Sequence, residues 1–179
     1  MTAVWSEPLL FLNPAEAETI DALAARIVPG DADDPGAREA GAVHYVDRAL
    51  AGFLRGLQTT YQDGLRELDA HCRQHHSGRF AELDAAVQDG VCAELDRRAL
   101  ADGEDSLGHL FAVVREHVVE GLFCDPAYGG NRDGVGWRMV GFPGAQWAYT
   151  SEQMARDFDA TTMSIVTLAD LYGGSRSAG

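Results

Sequence analysis

Residues 107–122 read LGHLFAVVREHVVEGL. Leu107, Leu110, Phe111, Val114, Val118 and Leu122 recur at steps of three and four, the spacing that lines one face of an α-helix. This is the clearest amphipathic stripe in the chain. A helix with one apolar face must be covered by other elements, so the flanking sequence decides the fold class. On the N-terminal side the same period returns. Asn13-Pro14-Ala15-Glu16 starts a helix with an N-cap Asn, Pro at the first helical position and a Glu that closes a capping box. Ile20, Leu23, Ile27 and Val28 follow at helical spacing, and Pro29-Gly30 stops the run.

Beyond the turn-rich acidic loop Asp31 to Gly36, a second helix is predicted from Arg38 onward, with Val43, Val46, Leu50, Phe53 and Leu57 on one face. Tyr61, Leu65 and Leu68 continue as a third helix after a break near Gln58 to Thr60, ending at Ser77-Gly78. Phe80 and Leu83 open the next, where Asp84 is the expected cap of a helix carrying Val87, Val91 and Leu95. Ala101 to Asp105 reads as polar loop. No alternation of apolar and polar residues long enough for a convincing strand occurs before residue 120. The predicted class is all-α: an irregular helical bundle.

After Gly121 the character changes. Between Gly121 and Tyr149 glycines are dense and six aromatic residues occur: Phe123, Tyr128, Trp137, Phe142, Trp147 and Tyr149. Glycine in this density argues against a continuous helix, so a long Gly/aromatic-rich loop segment is expected near the C-terminus. Thr150-x-x-Gln153 is expected to cap one further helix, with Met154 and Phe158 facing inward. The predicted domain organisation is an N-terminal extension (1–12), a single helical domain (13–172) that includes the 121–149 segment, and a frayed tail (173–179).

Composition narrows the function. The formal net charge is −14, and every basic residue apart from His is Arg. So negative a surface repels phosphate backbones and anionic membranes. Without Lys there is no Schiff-base chemistry and no phosphate-loop lysine. No window approaches the roughly 18 apolar residues of a membrane span. The N-terminus carries no recognisable signal core, so the chain by itself is expected in the cytoplasm, and outside it only if a partner bears the signal.

Catalytic signatures are missing: there is no G-x-G-x-x-G, P-loop, G-x-S-x-G or H-E-x-x-H. No dinucleotide-binding fold can be built here to hold a flavin, and no catalytic, cofactor-binding or metal residues are expected in this chain. His71-Cys72-x-x-His75-His76 is the best metal candidate, because His71 and His75 lie one helical turn apart. It lacks an obvious fourth ligand, and exposed polar residues are the simpler reading. Glu116, His117 and Glu120 resemble half of a carboxylate-bridged iron site, but the paired Glu-x-x-His motifs are absent and a solvated helix face is expected. Cys72, Cys92 and Cys124 match neither a disulfide framework nor a zinc knuckle.

The stretch FCDPAYGGNRDGVGWRMVGFPGA, residues 123–145, differs in kind. Asp125-Pro126 favours a turn and Gly129-Gly130 a kink. Asn131, Arg132 and Asp133 then bring short polar groups beside Trp137 and Phe142. Two readings fit, and both can hold at once: a loop packed over the bundle by its own rings, or a recognition surface of rigid aromatics and Arg.

This segment resembles the small (gamma) subunit family typified by gluconate 2-dehydrogenase subunit 3. The resemblance runs through Glu120 to Pro126, Tyr128 to Asp133, Gly136-Trp137 and Gly141 to Gly144. Earlier it includes Ile27-Val28-Pro29, Pro35 to Gly41, Asp47-Arg48, Leu50-Ala51-Gly52, Tyr61-x-x-Gly64-Leu65 and Phe80-x-x-Leu83. It implies a helical, non-catalytic subunit that binds and stabilises a large FAD-dependent (GMC-type) dehydrogenase acting on a sugar, sugar acid or polyol. FAD is then expected in the partner subunit of a hetero-oligomer, with no nucleic acid and no direct membrane insertion. The expected partner-binding or loop-shaping residues are Phe123, Asp125, Tyr128, Gly129, Gly130, Asn131, Arg132, Trp137, Phe142 and Pro143. Cys124 is a candidate for an intersubunit disulfide in an oxidising compartment. The alternatives are a transient, chaperone-like folding or export escort for that flavoprotein, or a stand-alone metal or acid–base enzyme.

Overall fold

A computed structural model describes residues 7–31, 33–101 and 105–173. Among them the elements are α1 (Pro14–Ile27), α2 (Ala42–Ala51), α3 (Gln58–His76), α4 (Ala85–Leu100), α5 (Ser106–Phe123), α6 (Val135–Met139) and α7 (Leu168–Gly173), with short 3-10 turns between them. The described residues form no strand, only one parallel bridge between Gly144 and Val166. No described helix is long and apolar enough to cross a membrane. The all-α expectation holds.

The 107–122 stripe forms the centre. All six of its apolar side chains are buried, and α5 packs against α1, α2, α3, α4 and α6. The capping box of α1 is present: Asn13 Oδ1 accepts from the N–H groups of Ala15 (2.9 Å) and Glu16 (3.0 Å), and Glu16 Oε2 accepts from Asn13 N–H (2.9 Å).

Three details differ from expectation. α2 begins at Ala42, not Arg38, because Gly41 stands in left-handed backbone (φ 70°) and 38–41 form a turn. Arg38 instead reaches Asp21 on α1 (2.8 Å). α2 then stops at Ala51. The break before α3 therefore falls at 52–57, and Phe53, expected on the apolar face, is 71% exposed. Asp84 does occupy the N-cap of α4, but its side chain makes no capping bond.

The predicted helix after Thr150 is not there. Thr150 and Gln153 exchange the reciprocal bonds of a capping box, yet 151–157 remain in turns and Met154 points to solvent. A capping box satisfies backbone donors without supplying the apolar face that holds a helix in place. The last helix is α7, further on. Residue 32 of the acidic loop, residues 102–104 of the polar loop and residues 174–179 of the predicted tail lie outside the described residues.

The N-terminal segment is fastened to the bundle. Asp47, buried on α2, accepts from three successive backbone N–H groups: Leu10 (2.7 Å), Phe11 (2.9 Å) and Leu12 (2.8 Å). Charge-assisted bonds to a carboxylate are the stronger kind, and Leu12 joins the core. Residues 1–6 of the predicted extension lie outside the described residues.

Candidate functional site

The segment 124–144 folds over the C-terminal end of α5, where helix carbonyls have no partner within the helix. Side chains from further along the chain supply partners. Asn131 Nδ2 donates to Cys124 O (2.8 Å), and Trp137 Nε1 donates to Phe123 O (2.8 Å). Asn131 Oδ1 accepts from Gly136 N–H (2.8 Å), which fixes the start of α6. Asn131 is completely buried and left-handed (φ 46°); Asp133 is left-handed too (φ 55°). Short Asn and Asp side chains tolerate that backbone better than other residues with a Cβ.

The glycines serve this packing. A Cβ on Gly130 would lie 2.0 Å from Gly121 O, and one on Gly136 2.0 Å from Leu122 O. Both contacts are with α5 backbone, so here glycine lets the segment approach its own bundle.

Asp125 is also turned inward. Its carboxylate accepts from Ala127 N–H (2.9 Å) and, across the fold, from Leu168 N–H at the start of α7 (2.8 Å). Arg48, on α2, pairs with Glu7 and donates to Ala127 O (3.4 Å), and its side chain lies against Gly129. Arg132 donates its backbone N–H to Ala40 O (2.8 Å) and lays its guanidinium near Gly41.

The ten expected residues thus divide. Asp125, Gly130, Asn131, Trp137 and Pro143 are buried and Gly129 is half-buried, so these shape the segment. Phe123, Tyr128, Arg132 and Phe142 are exposed on it. Phe142 meets the buried Trp137 edge to face (5.3 Å, 84°). Sequence reasoning missed Met139 and Val140, which are also exposed, and the pairing of Trp147 with Tyr172. No sequence pattern brings residues 147 and 172 together.

Of the other candidate groups, His71 and His75 do meet one helical turn apart (ring centroids 4.6 Å). Cys72 is fully buried, while His75 and His76 are exposed. Among the described residues no three His, Cys, Asp or Glu side chains converge as metal ligands. Glu116 and Glu120 do lie on a solvated face, but His117 does not: it is buried, stacked with Tyr61, and shares a 2.7 Å hydrogen bond with that phenol. Tyr45 donates to Glu120 (2.8 Å). Cys124 is half-buried, and burial pushes its thiol up to about 11, so it is protonated at neutral pH.

A sequence profile of one family, described as gluconate 2-dehydrogenase subunit 3, matches residues 14–144. The chain belongs to that family. The match takes in every helix from α1 to α6 and ends at the glycine of the Gly144–Val166 bridge. Neither the curated proteins nor the solved structures contain a match to it. As a subunit 3 family member, the chain has a natural place in a multi-subunit dehydrogenase complex. The motif that carried the resemblance is the one that closes the end of α5.

Proposed function

We propose that this chain is the non-catalytic small subunit of a hetero-oligomeric oxidoreductase, and that it binds and stabilises a large FAD-dependent, GMC-type subunit that oxidises a sugar, sugar acid or polyol. The observation that carries this reading is membership of the subunit 3 family over residues 14–144. The geometry of the segment supports it. Buried Asn131 and Trp137 hold the backbone in one shape, while Phe123, Tyr128 and Phe142 remain in water on that rigid support. Pre-ordered rings lose little freedom on binding, which favours their use as contact residues. Binding only the folded flavoprotein would stabilise it by mass action. FAD and the substrate pocket belong to that partner.

The test is co-expression with the neighbouring open reading frame, followed by purification through a tag on this chain. The expected product is a yellow complex that survives gel filtration and oxidises sugars, with flavin on the larger polypeptide; the lone chain is colourless and inactive. A lone chain that is yellow, or that oxidises a sugar unaided, overturns the reading. A complex that falls apart on the column points instead to a transient escort.

A further inference from the structure

Residues 145–173 follow the family match and contain no buried residue. They are nevertheless tied down. Ala145 N–H donates to Val166 O (2.7 Å), Val166 N–H to Pro143 O (3.0 Å), and Leu168 N–H to Asp125 (2.8 Å). Ile165 and Thr161 lie over Gly134 and Gly141 of the 124–144 segment. The chain leaves at Gly144, loops out, and returns along that segment as an arm.

The arm leaves its largest side chains in water. Trp147 is 73% exposed and Tyr172 66%, yet the two rings meet edge to face (5.9 Å, 81°). Trp and Tyr are the residue types that most often dominate binding energy, because they bury a large area at small entropic cost. The sequence of the arm is acidic: Glu152, Asp157, Asp159 and Asp170 against Arg156. Hydrogen bonds from Thr161 and Thr167 hold the Asp159 and Asp170 carboxyls below the usual range, so both are ionised. A second copy of this chain is a poor occupant, because each copy carries −14 and the two repel. An apolar pocket rimmed by Arg or Lys fits better.

We propose that the Trp147–Tyr172 pair is the anchor by which this arm grips an apolar, basic-rimmed pocket on the large subunit, an inference that rests on the function proposed above. The arm extends the interface beyond the family-wide segment and gives it a contact of its own.

The experiment measures binding of the full chain to the flavoprotein recovered by co-purification, at low and high salt, for the wild type, the Trp147→Ala/Tyr172→Ala double variant, and Leu100→Ala as a control at a distant exposed apolar residue. Far-UV circular dichroism and Tm report folding. The double variant is expected to bind at least tenfold more weakly with an unchanged Tm, the control to bind like wild type, and wild-type association to slow with added salt. Amide exchange of the wild-type arm is expected to slow on complex formation, a readout independent of any variant. Unchanged affinity in the double variant, or an arm that gains no protection, overturns the anchor while leaving the proposed function standing. Failure of the wild type to bind overturns the proposed function itself. A wild-type dimer that the double variant abolishes would make a second copy the occupant and overturn this assignment.

Discussion

Asn131 spans two parts of the chain from one left-handed position. Its amide closes the C-terminal end of α5 through Cys124 O and orients α6 through Gly136 N–H. Truncation to alanine removes both bonds, leaves a buried carbonyl and N–H unpaired, and keeps a Cβ on a backbone that disfavours it. The expected loss is about 2–4 kcal/mol, read as a lower urea midpoint. Asn131→Gly should recover about 1 kcal/mol of it, since glycine relieves the backbone but not the lost bonds. An Asn131→Ala chain as stable as wild type would contradict this account of the segment. From sequence, Asn131 is legible as a polar residue beside rings, useful for recognition or loop shape. Its burial is not legible, because burial depends on which carbonyls the fold brings opposite it.

At the level of elements, periodicity and breakers locate the four long helices well, and err where a single backbone position decides. Gly41 shortens α2 at its start and Gly52 at its end, so Phe53 leaves the apolar face that its spacing suggests. The glycine-rich segment reads as loop in the sequence, yet it contains α6 and two 3-10 turns, because its glycines meet α5 and do not simply loosen the chain. A contrast of glycines tests this. Gly130→Ala and Gly136→Ala place a methyl group on α5 carbonyls and should cost about 1–3 kcal/mol or more, with faster proteolysis within 124–144. A methyl group on Gly90, inside α4, would meet nothing within 4 Å. Gly90→Ala should therefore raise stability by about 0.5–1 kcal/mol. Equal responses at the three positions would show that close approach is not what these glycines provide.

For the molecule as a whole, two buried histidines, His117 on α5 and His44 on α2, set a pH dependence. Burial lowers the pKa of His117 below its ordinary 6.5, against the opposing pull of Glu120 and Glu116. Burial, reinforced by Arg132, lowers that of His44 as well. The unfolded chain then takes up these protons first as pH falls. Stability that depends on the neutral rings is intact above 6.5 and is lost progressively below it. His117→Gln should lower Tm at about pH 7.5, through the altered Tyr61 contact, but reduce the further fall in Tm between about pH 7.5 and about pH 5.5. Thermal melts at both pH values check it; an equal fall in variant and wild type would remove His117 as the cause.

The all-α class, the capped start of α1, the central stripe of α5 and the family resemblance were all contained in the sequence, because each rests on residues within a turn or two of one another or on an uninterrupted motif. Helical spacing and capping are local physics, and a long motif keeps its order whatever surrounds it. Which motif residues face inward was settled only when the chain closed on itself. Asn131 and Trp137 found α5 carbonyls, Asp125 found Leu168, and Asp47 found the N-terminal segment, all across separations that no periodicity reports. Hydrogen-bond partners and burial are properties of what arrives opposite a side chain, and tertiary packing alone determines that.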